Sequence, residues 1–581
     1  MAGAALDIQT SLTGRRWLWR RGEDRVGLGI AQRLALPELI GRLLSARGIG
    51  MDDAAHFLDP TLRALLPDPS VLADMDAAAA RLAAAVQRSE TVAVFGDYDV
   101  DGACSAAIIT TVLRTLGCTV MTHVPDRLLE GYGPNGPALL SLADQGATLV
   151  VCVDCGTAAP VALAAVQGRA DVVVLDHHVP EGPPPPVLAT VNPNRADCSS
   201  GLGGVCAAAV AFLAAVATLR VLRRAGWFAG RAEPDLLDLL DLVALATVCD
   251  VMPLTGLNRA LVVQGLRVMA RRARPGIRAL LDAAAARDVP TAFTCGFALG
   301  PRINAAGRIS TSDLGLRLLL CEDPVEARAL AETLDSTNRS RQQVEAAMLD
   351  AALAQAAAQS GAGHATLVVH GEGWHPGVVG IVASRLKDRV HRPTFVFARG
   401  QDGLLKGSGR SIAGFHLRDA LDLLSKRHPE VLVRFGGHAM AAGCTLAEAD
   451  FATFDAAFQR VASEWLDAAT LSRTLLADGP LGIEHFNAPT VRALDAQVWG
   501  QAFEAPVFVD EVEVVSQRLV GEKHLKLALR FAGEARGSAL RDAIWFGHSE
   551  PVGAKVRLAY RLSVDEYNGR ERVQMIVEAV G

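Results

Sequence analysis

The chain has 581 residues and a formal net charge of −6, too long for a single core and expected to divide into roughly three or four domains. Half of its residues are hydrophobic and 21% are charged, the balance of a soluble globular protein. No overall basic field advertises a nucleic-acid partner, although a basic channel can lie inside an acidic protein.

The N-terminal stretch MAGAALDIQTSLTGRRWLWRR lacks the apolar centre of a secretory signal. Residues 1–79 read as a helical lead-in with proline-marked turns, as in LLPDPSVLADM. Across residues 80–322 short β-rich runs alternate with helix-length segments: TVAVF (91–95), TVMTHVP (119–125), ATLVVCV (147–153) and DVVVL (171–175). That alternation predicts βαβ units and a doubly wound, mostly parallel sheet. The uncharged residues 198–219 are rich in Gly and Ala. They are too weakly apolar for a membrane span of about 20 residues and predict a buried helix. Residues 323–362 are almost continuous helix formers and predict a long connecting helix. A smaller α/β domain is expected over 363–468, with strands at ATLVVH and PTFVFA. Over 469–581, FVDEVEVVSQRLV, HLKLALRF, DAIWFG and AKVRLAYRLSVDEY are strand-like runs separated by turns, which suits a small β-barrel such as an OB-fold.

Ten cysteines are scattered through apolar segments, without the density of a disulfide scaffold. Cys152 and Cys155 spell CxxC, but a zinc site needs two further ligands and no second close pair exists. A redox motif would open a helix. Buried, reduced thiols and a cytoplasmic protein are expected.

FGDYDVDG crowds Asp97, Asp99 and Asp101 directly after an apolar run, where they repel one another unless a cation lies between them. Three further sites share that context. VVCVDCGT places Asp154 at the end of a strand-like run, VVVLDHHVP places Asp176, His177 and His178 at the end of the next, and LVALATVCDVMPL places Asp250 after another. Singly, such residues are turns or helix caps. Residues just beyond the carboxyl ends of parallel strands converge on one crevice, so the whole set can share a pocket. Carboxylates with imidazole and no thiolate suit Mn²⁺ or Mg²⁺. The number of ligands suggests two ions bridged by a shared carboxylate, the arrangement that activates water and stabilises the leaving oxygen in phosphoryl hydrolysis.

These segments spell a family. The LDHH run, with GDYDVDG, PDRLLEGYG (125–133), VDCG, ATVCDVMPLTGLNR (246–259), GPRINAAGR (300–308), GWHPGVVGIVASRL (373–386), GSGRS (407–411) and GGHAMAAG (436–443), resembles the DHH phosphoesterases. Among them the chain is most similar to the exonucleases that act on single-stranded DNA. The resemblance runs from about residue 80 to the C-terminus. It implies a DHH catalytic domain at 80–322, a DHHA1 substrate-binding domain at 363–468 and a nucleic-acid-binding OB-fold at 469–581. By the same resemblance Asp99 and Asp101 match the first metal-binding pair, Asp154 the carboxylate that bridges both ions, and His177 and Asp250 ligands of the second. Asp176 resembles a residue that orients His177, and His178 is placed to touch the scissile phosphate. Many family members have a histidine where this chain has Phe95; Asp97 is the residue at hand to supply the missing ligand.

Small residues in GGHAMAAG let backbone N–H groups approach a phosphate, although such a stretch alone reads equally as a tight turn. The resemblance implies that Gly436, Gly437 and His438 bind substrate in a groove facing the catalytic domain. Arg127, Arg302, Asn304, Arg308, Ser408 and Arg410 are candidates for gripping phosphates, some of them at the 5′ end. Lys523, Lys526, Arg530, Trp545 and Arg561 could add charge and stacking, with Trp545 equally readable as core. No P-loop occurs, so no ATP dependence is expected. The implied protein is a monomeric 5′→3′ exonuclease on single-stranded DNA that releases 5′-mononucleotides in recombination and repair. Its implied partners are the single-strand-binding protein and a RecQ-type helicase, with no membrane. Two alternatives stand beside it. The long helix and barrel speak against a phosphodiesterase for short oligonucleotides or cyclic dinucleotides. The intact acidic set speaks against a non-catalytic replication scaffold. Because every metal motif precedes residue 470, removing the chain beyond that point is expected to spare some chemistry.

Overall fold

A computed structural model describes residues 5–127, 129–180, 182–361, 363–567 and 570–581. The chain forms two compact units. One holds His56–Gln343 with the late segment Val498–Glu504; the other holds Met1–Ala55, Val344–Gln497 and Ala505–Gly581. The lead-in differs from expectation in one respect: Arg15–Trp19 is a strand, β1, which pairs in parallel with Arg473–Ala477. Its Trp17 is fully buried among Leu475, Val507 and Ala559. That burial makes the segment part of a core rather than a loose leader.

The first unit is built on β2 (Thr91–Gly96), β3 (Thr119–His123), β4 (Leu149–Val153), β5 (Asp171–Leu175) and β6 (Ala189–Val191). These form a parallel sheet in the order β3-β2-β4-β5-β6. All five residues of β4 are buried, as a strand covered on both faces requires. Helices Val100–Thr115, Ala207–Arg224 and Leu240–Cys249 contribute to the large core on one face. Leu139, Leu142, Leu163 and Val166 pack against the other. The expected doubly wound sheet is therefore present, and its order reverses between β2 and β4, the place where such sheets open a crevice. The buried helix expected over residues 198–219 begins only at Ala207 and runs to Arg224; residues 198–206 are a loop. Among the described residues no helix is long and apolar enough to cross a membrane.

The long helix runs from Pro324 to Gly361. Beyond it, β7 (Leu367–His370), β8 (Thr394–Arg399), β9 (Leu405–Arg410), β10 (Arg434–Gly437) and β11 (Ala441–Leu446) make a mixed sheet ordered β10-β11-β9-β8-β7. The last three strands were not legible in the sequence, because glycine-rich GSGRS and GGHAMAAG lack the apolar alternation of a strand. After β12 (Arg473–Ala477), strands β13 (Phe508–Val520), β14 (His524–Phe531), β15 (Arg541–Trp545), β16 (Lys555–Tyr567) and β17 (Arg570–Val580) close a five-stranded barrel. Trp545 is buried, so it belongs to the core.

Candidate metal centre

Each acidic residue reaches the centre by a local rule. Asp97 follows β2 and is buried. Asp99 caps the helix Val100–Thr115, its Oδ1 accepting from Gly102 N at 3.1 Å. Asp101 lies in that helix's first turn and accepts from Ala207 N (2.7 Å) and Ala208 N (2.8 Å), so its charge also sits at the N-terminus of a second helix, where an anion is favoured. Asp154 follows β4 in the left-handed region, φ +59°, a conformation Asp tolerates better than most residues. Asp250 departs from expectation, because the apolar run before it is the helix Leu240–Cys249 rather than a strand. Buried on all sides, that run shows neither strand nor helix periodicity. Asp250 therefore arrives from a helix C-terminus.

The side chains converge. His177 Nε2 lies 3.3 Å from Asp154 Oδ1, 3.5 Å from Asp250 Oδ2 and 3.6 Å from Asp101 Oδ2. Three overlapping trios have ligand atoms all within 4.8 Å of one another: Asp97, Asp99 and Asp154; Asp101, His177 and Asp250; Asp154, His177 and His178. Asp99 and Asp101 thus fall into different trios, and Asp154 joins the first to the third. Burial, then neighbouring carboxylates, raises the pKa of Asp154 well above the usual range and that of Asp250 to about 8. Asp97 and Asp101 are raised mainly by burial. Asp97 Oδ1, Asp154 Oδ1 and Asp250 Oδ2 are buried without a hydrogen-bond partner. Orphaned carboxylate oxygens facing one another are costly unless cations fill the gap, and this donor set fits hard divalent ions. Phe95 is fully buried beside the His123 ring and offers no ligand.

Asp176 has a different task. Its Oδ1 accepts from His177 N (2.7 Å), His178 N (3.1 Å) and His178 Nδ1 (2.8 Å), and its Oδ2 accepts from Thr157 N (3.0 Å). It holds His177 only through the backbone, so the ring it orients is that of His178. Burial opposes ionisation, but those hydrogen bonds and the His178 charge keep the Asp176 carboxyl below its ordinary range. Although burial opposes it, the Asp176 hydrogen bond lifts His178 to about 9, so a cationic imidazole faces the pocket. Tyr132, whose role the sequence did not suggest, donates to the Asp154 carbonyl at 3.0 Å and lies 3.1 Å from His178 Nδ1. Asn192 and Asn194 donate to the carbonyls of His178 and His177; the polar VNPN run after β6 was their only signal. Burial raises the thiols of Cys152, to about 12, and Cys155, which makes them apolar fillers.

The phosphate candidates divide. The Arg127 guanidinium lies over the Tyr98 ring at 4.9 Å, and Arg308 bears on the same phenol, in the loop that carries Asp97 and Asp99. Arg302 instead bonds Asp335 at 3.0 Å and the Ala298 carbonyl at 2.6 Å, and Asn304 accepts from Val100 N at 3.2 Å. Those two join helices around the centre. In the other unit, Arg410 donates to Ser408 Oγ at 3.2 Å, and a Cβ on Gly380 would meet both side chains at 3.0–3.1 Å. Gly437 has φ +134° and a Cβ there would strike Ala442 Cα at 2.4 Å. Glycine is therefore required where His438 N bonds Ala441 O at 2.7 Å. Of the barrel residues, Arg530 and Arg561 face Glu513 and Glu578.

Fold and site together define a protein of the DHH class. The DHH family N-terminal domain model matches residues 91–247, the DHHA1 domain 338–464 and the RecJ OB domain 477–579. The single-stranded-DNA-specific exonuclease RecJ of Dickeya dadantii is 42% identical over 94% of this chain and 96% of its own length. That of Escherichia coli is 39% identical over the same shares. The crystal structure of RecJ in complex with Mn²⁺ from Thermus thermophilus has a TM-score of 0.81 at 30% identity, covering 98% of this chain and 80% of that one. The chain belongs to the RecJ family.

Proposed function

We propose that the protein is a metal-dependent 5′→3′ exonuclease on single-stranded DNA that releases 5′-mononucleotides in recombination and repair. The observation that carries this reading is the set of orphaned carboxylate oxygens around His177 at the switch point of the sheet. Two Mn²⁺ or Mg²⁺ ions would supply Lewis-acid polarisation of the phosphodiester and acidify the attacking water. Asp97, Asp99 and Asp154 would hold one, and Asp101, His177 and Asp250 the other, with Asp154 shared. The cationic His178 ring, fixed by Asp176 and Tyr132, would neutralise charge on the phosphate as it builds.

Metals alone do not distinguish strand ends, so polarity needs a separate stop for the terminal group. Ser408 and Arg410 would form it, helped by Arg127 and Arg308, since a terminal phosphate carries more charge than an internal one and an arginine fork suits it. Gly436, Gly437 and His438 would bind the strand, the glycines letting a phosphate approach the backbone closely. The single-strand-binding protein and a RecQ-type helicase are the proposed partners in the cytoplasm, and a monomer suffices. The test is digestion of single strands labelled at either end, with Mn²⁺, Mg²⁺ or chelator and no nucleotide. Loss of the 5′ label first, only with metal, is expected; release from the 3′ end would overturn the polarity.

A further inference from the structure

The unit that holds β7 to β12 contains a cavity of about 410 Å³ whose lining does not include Ser408 or Arg410. Arg15, Lys387, His391 and Arg473 line it, with Asp388, Ser411 and Met440. Arg15 and Arg473 stand directly opposite one another at the first register position of the β1–β12 ladder, where facing like charges weaken the pairing. Both are half-buried. Burial, and then Arg15, pulls the Arg473 pKa down. Lys387 lies in the last turn of the helix Val379–Val390, whose dipole favours a cation, and His391 follows it. Burial, with Arg473, Arg392 and Lys387 nearby, lowers the His391 pKa, so it lines the cavity as a neutral ring. The helix accounts for Lys387 but not for the arginine pair, which comes from strands. Asp388 is the one carboxylate among the described lining residues, and it pairs with Lys387 Nζ at 2.5 Å. Converging cations favour an anion between them. Ser411, the last residue of GSGRS, donates its N–H to the carbonyl of Met440 within GGHAMAAG at 2.9 Å, so the cavity borders both segments.

We propose that this cavity is a second phosphate site, in which Arg15, Arg473, Lys387 and His391 take a backbone phosphate of single-stranded DNA. The assignment to DNA rests on the function proposed above; the presence of an anion site does not.

Two measurements on the full chain, both with chelator, test it. In thermal melts, inorganic phosphate should raise the midpoint of the wild type. In an Arg410→Ala background, which removes the terminal-phosphate pocket, the rise should persist, and it should vanish when Arg15→Gln/Arg473→Gln is added. In binding titrations with a long single strand, Arg473→Gln should weaken affinity about tenfold and lower the salt slope by about 0.7. Arg473→Lys should restore most of that slope, and Lys387→Gln gives an independent reading if the arginine variants fold poorly. Wild-type affinity and slope in every variant, with strong wild-type DNA binding and no phosphate-induced rise, would overturn the site and leave the exonuclease reading standing. A phosphate response with no change on DNA would overturn the DNA assignment in favour of free phosphate. A wild type that ignores single strands would sink the functional reading, and the phosphate melts would then judge the cavity alone.

Discussion

Single side chains set the chemistry. With its carboxylate shared between clusters, Asp154→Ala should abolish hydrolysis while leaving strand binding largely intact; near-normal turnover in the purified variant would refute the shared role. The raised pKa values make a second prediction. A carboxyl whose folded pKa lies above its unfolded value gives stability that is full below the unfolded value, 3.8, and is lost as pH rises through the folded one, about 8 for Asp250. The metal-free protein should therefore lose stability between about pH 4 and pH 8. Mn²⁺ should then raise the melting midpoint more at about pH 8 than at about pH 6, and an equal rise at both would count against carboxylate repulsion. Arg410→Ala should cut the preference for 5′-phosphorylated over 5′-hydroxyl strands about tenfold to a hundredfold, the value of a charged hydrogen bond of roughly 1.5–3 kcal/mol. Competition between the two strand types at fixed salt measures it.

Elements decide whether those side chains meet. Asp250 depends on the helix Leu240–Cys249, which packs on Gly256–Ala270 so closely that a Cβ on Gly265 would lie 2.1 Å from Leu240 O and 2.5 Å from Ala244 Cβ. Overpacking of this kind costs about 1–3 kcal/mol. Gly265→Ala should lower stability by that amount in denaturant titrations. It should also shrink the Mn²⁺-induced rise in midpoint, because the helix it displaces ends at Asp250. A variant with unaltered metal response would show that the two helices part without moving the ligand.

At the scale of the whole molecule, distant stretches of chain complete each unit. Arg259, 1% exposed, donates to Phe57 O at 2.7 Å and to Val498 O at 2.8 Å, with its guanidinium against Phe57 and Phe503. Leu254 N, four residues beyond Asp250, donates to Gln501 O at 2.8 Å. Truncation after residue 470 therefore removes part of the metal-bearing unit, as well as β12, the partner of β1. Such a protein should melt early and respond poorly to Mn²⁺, contrary to what the motif positions alone suggest. Arg259→Ala in the full chain isolates this contact and should cost about 2–5 kcal/mol; a truncated protein with wild-type metal response would refute the dependence.

The sequence by itself determined the parallel sheet, the long helix, the barrel and the members of the acidic cluster. Their signals are local: β-rich runs such as DVVVL, helix formers without a break, and aspartates placed just past apolar segments. It also pointed to Asp97 beside the Phe95 position, because both lie in one motif. Only the tertiary structure decided that LVALATVC is a helix, since a run buried on every side has no periodicity to read. It also decided that Asp176 grips the ring of His178, that Arg302 belongs to Asp335, and that Tyr132 and Asn192 support the histidines. Those last contacts are matters of ångströms between residues 14 to 46 positions apart, and no spacing rule reaches that far. The closing of each unit by a remote strand or loop was invisible for the same reason: burial of Trp17 and Arg259 is a property of what packs around them, not of their neighbours in the chain.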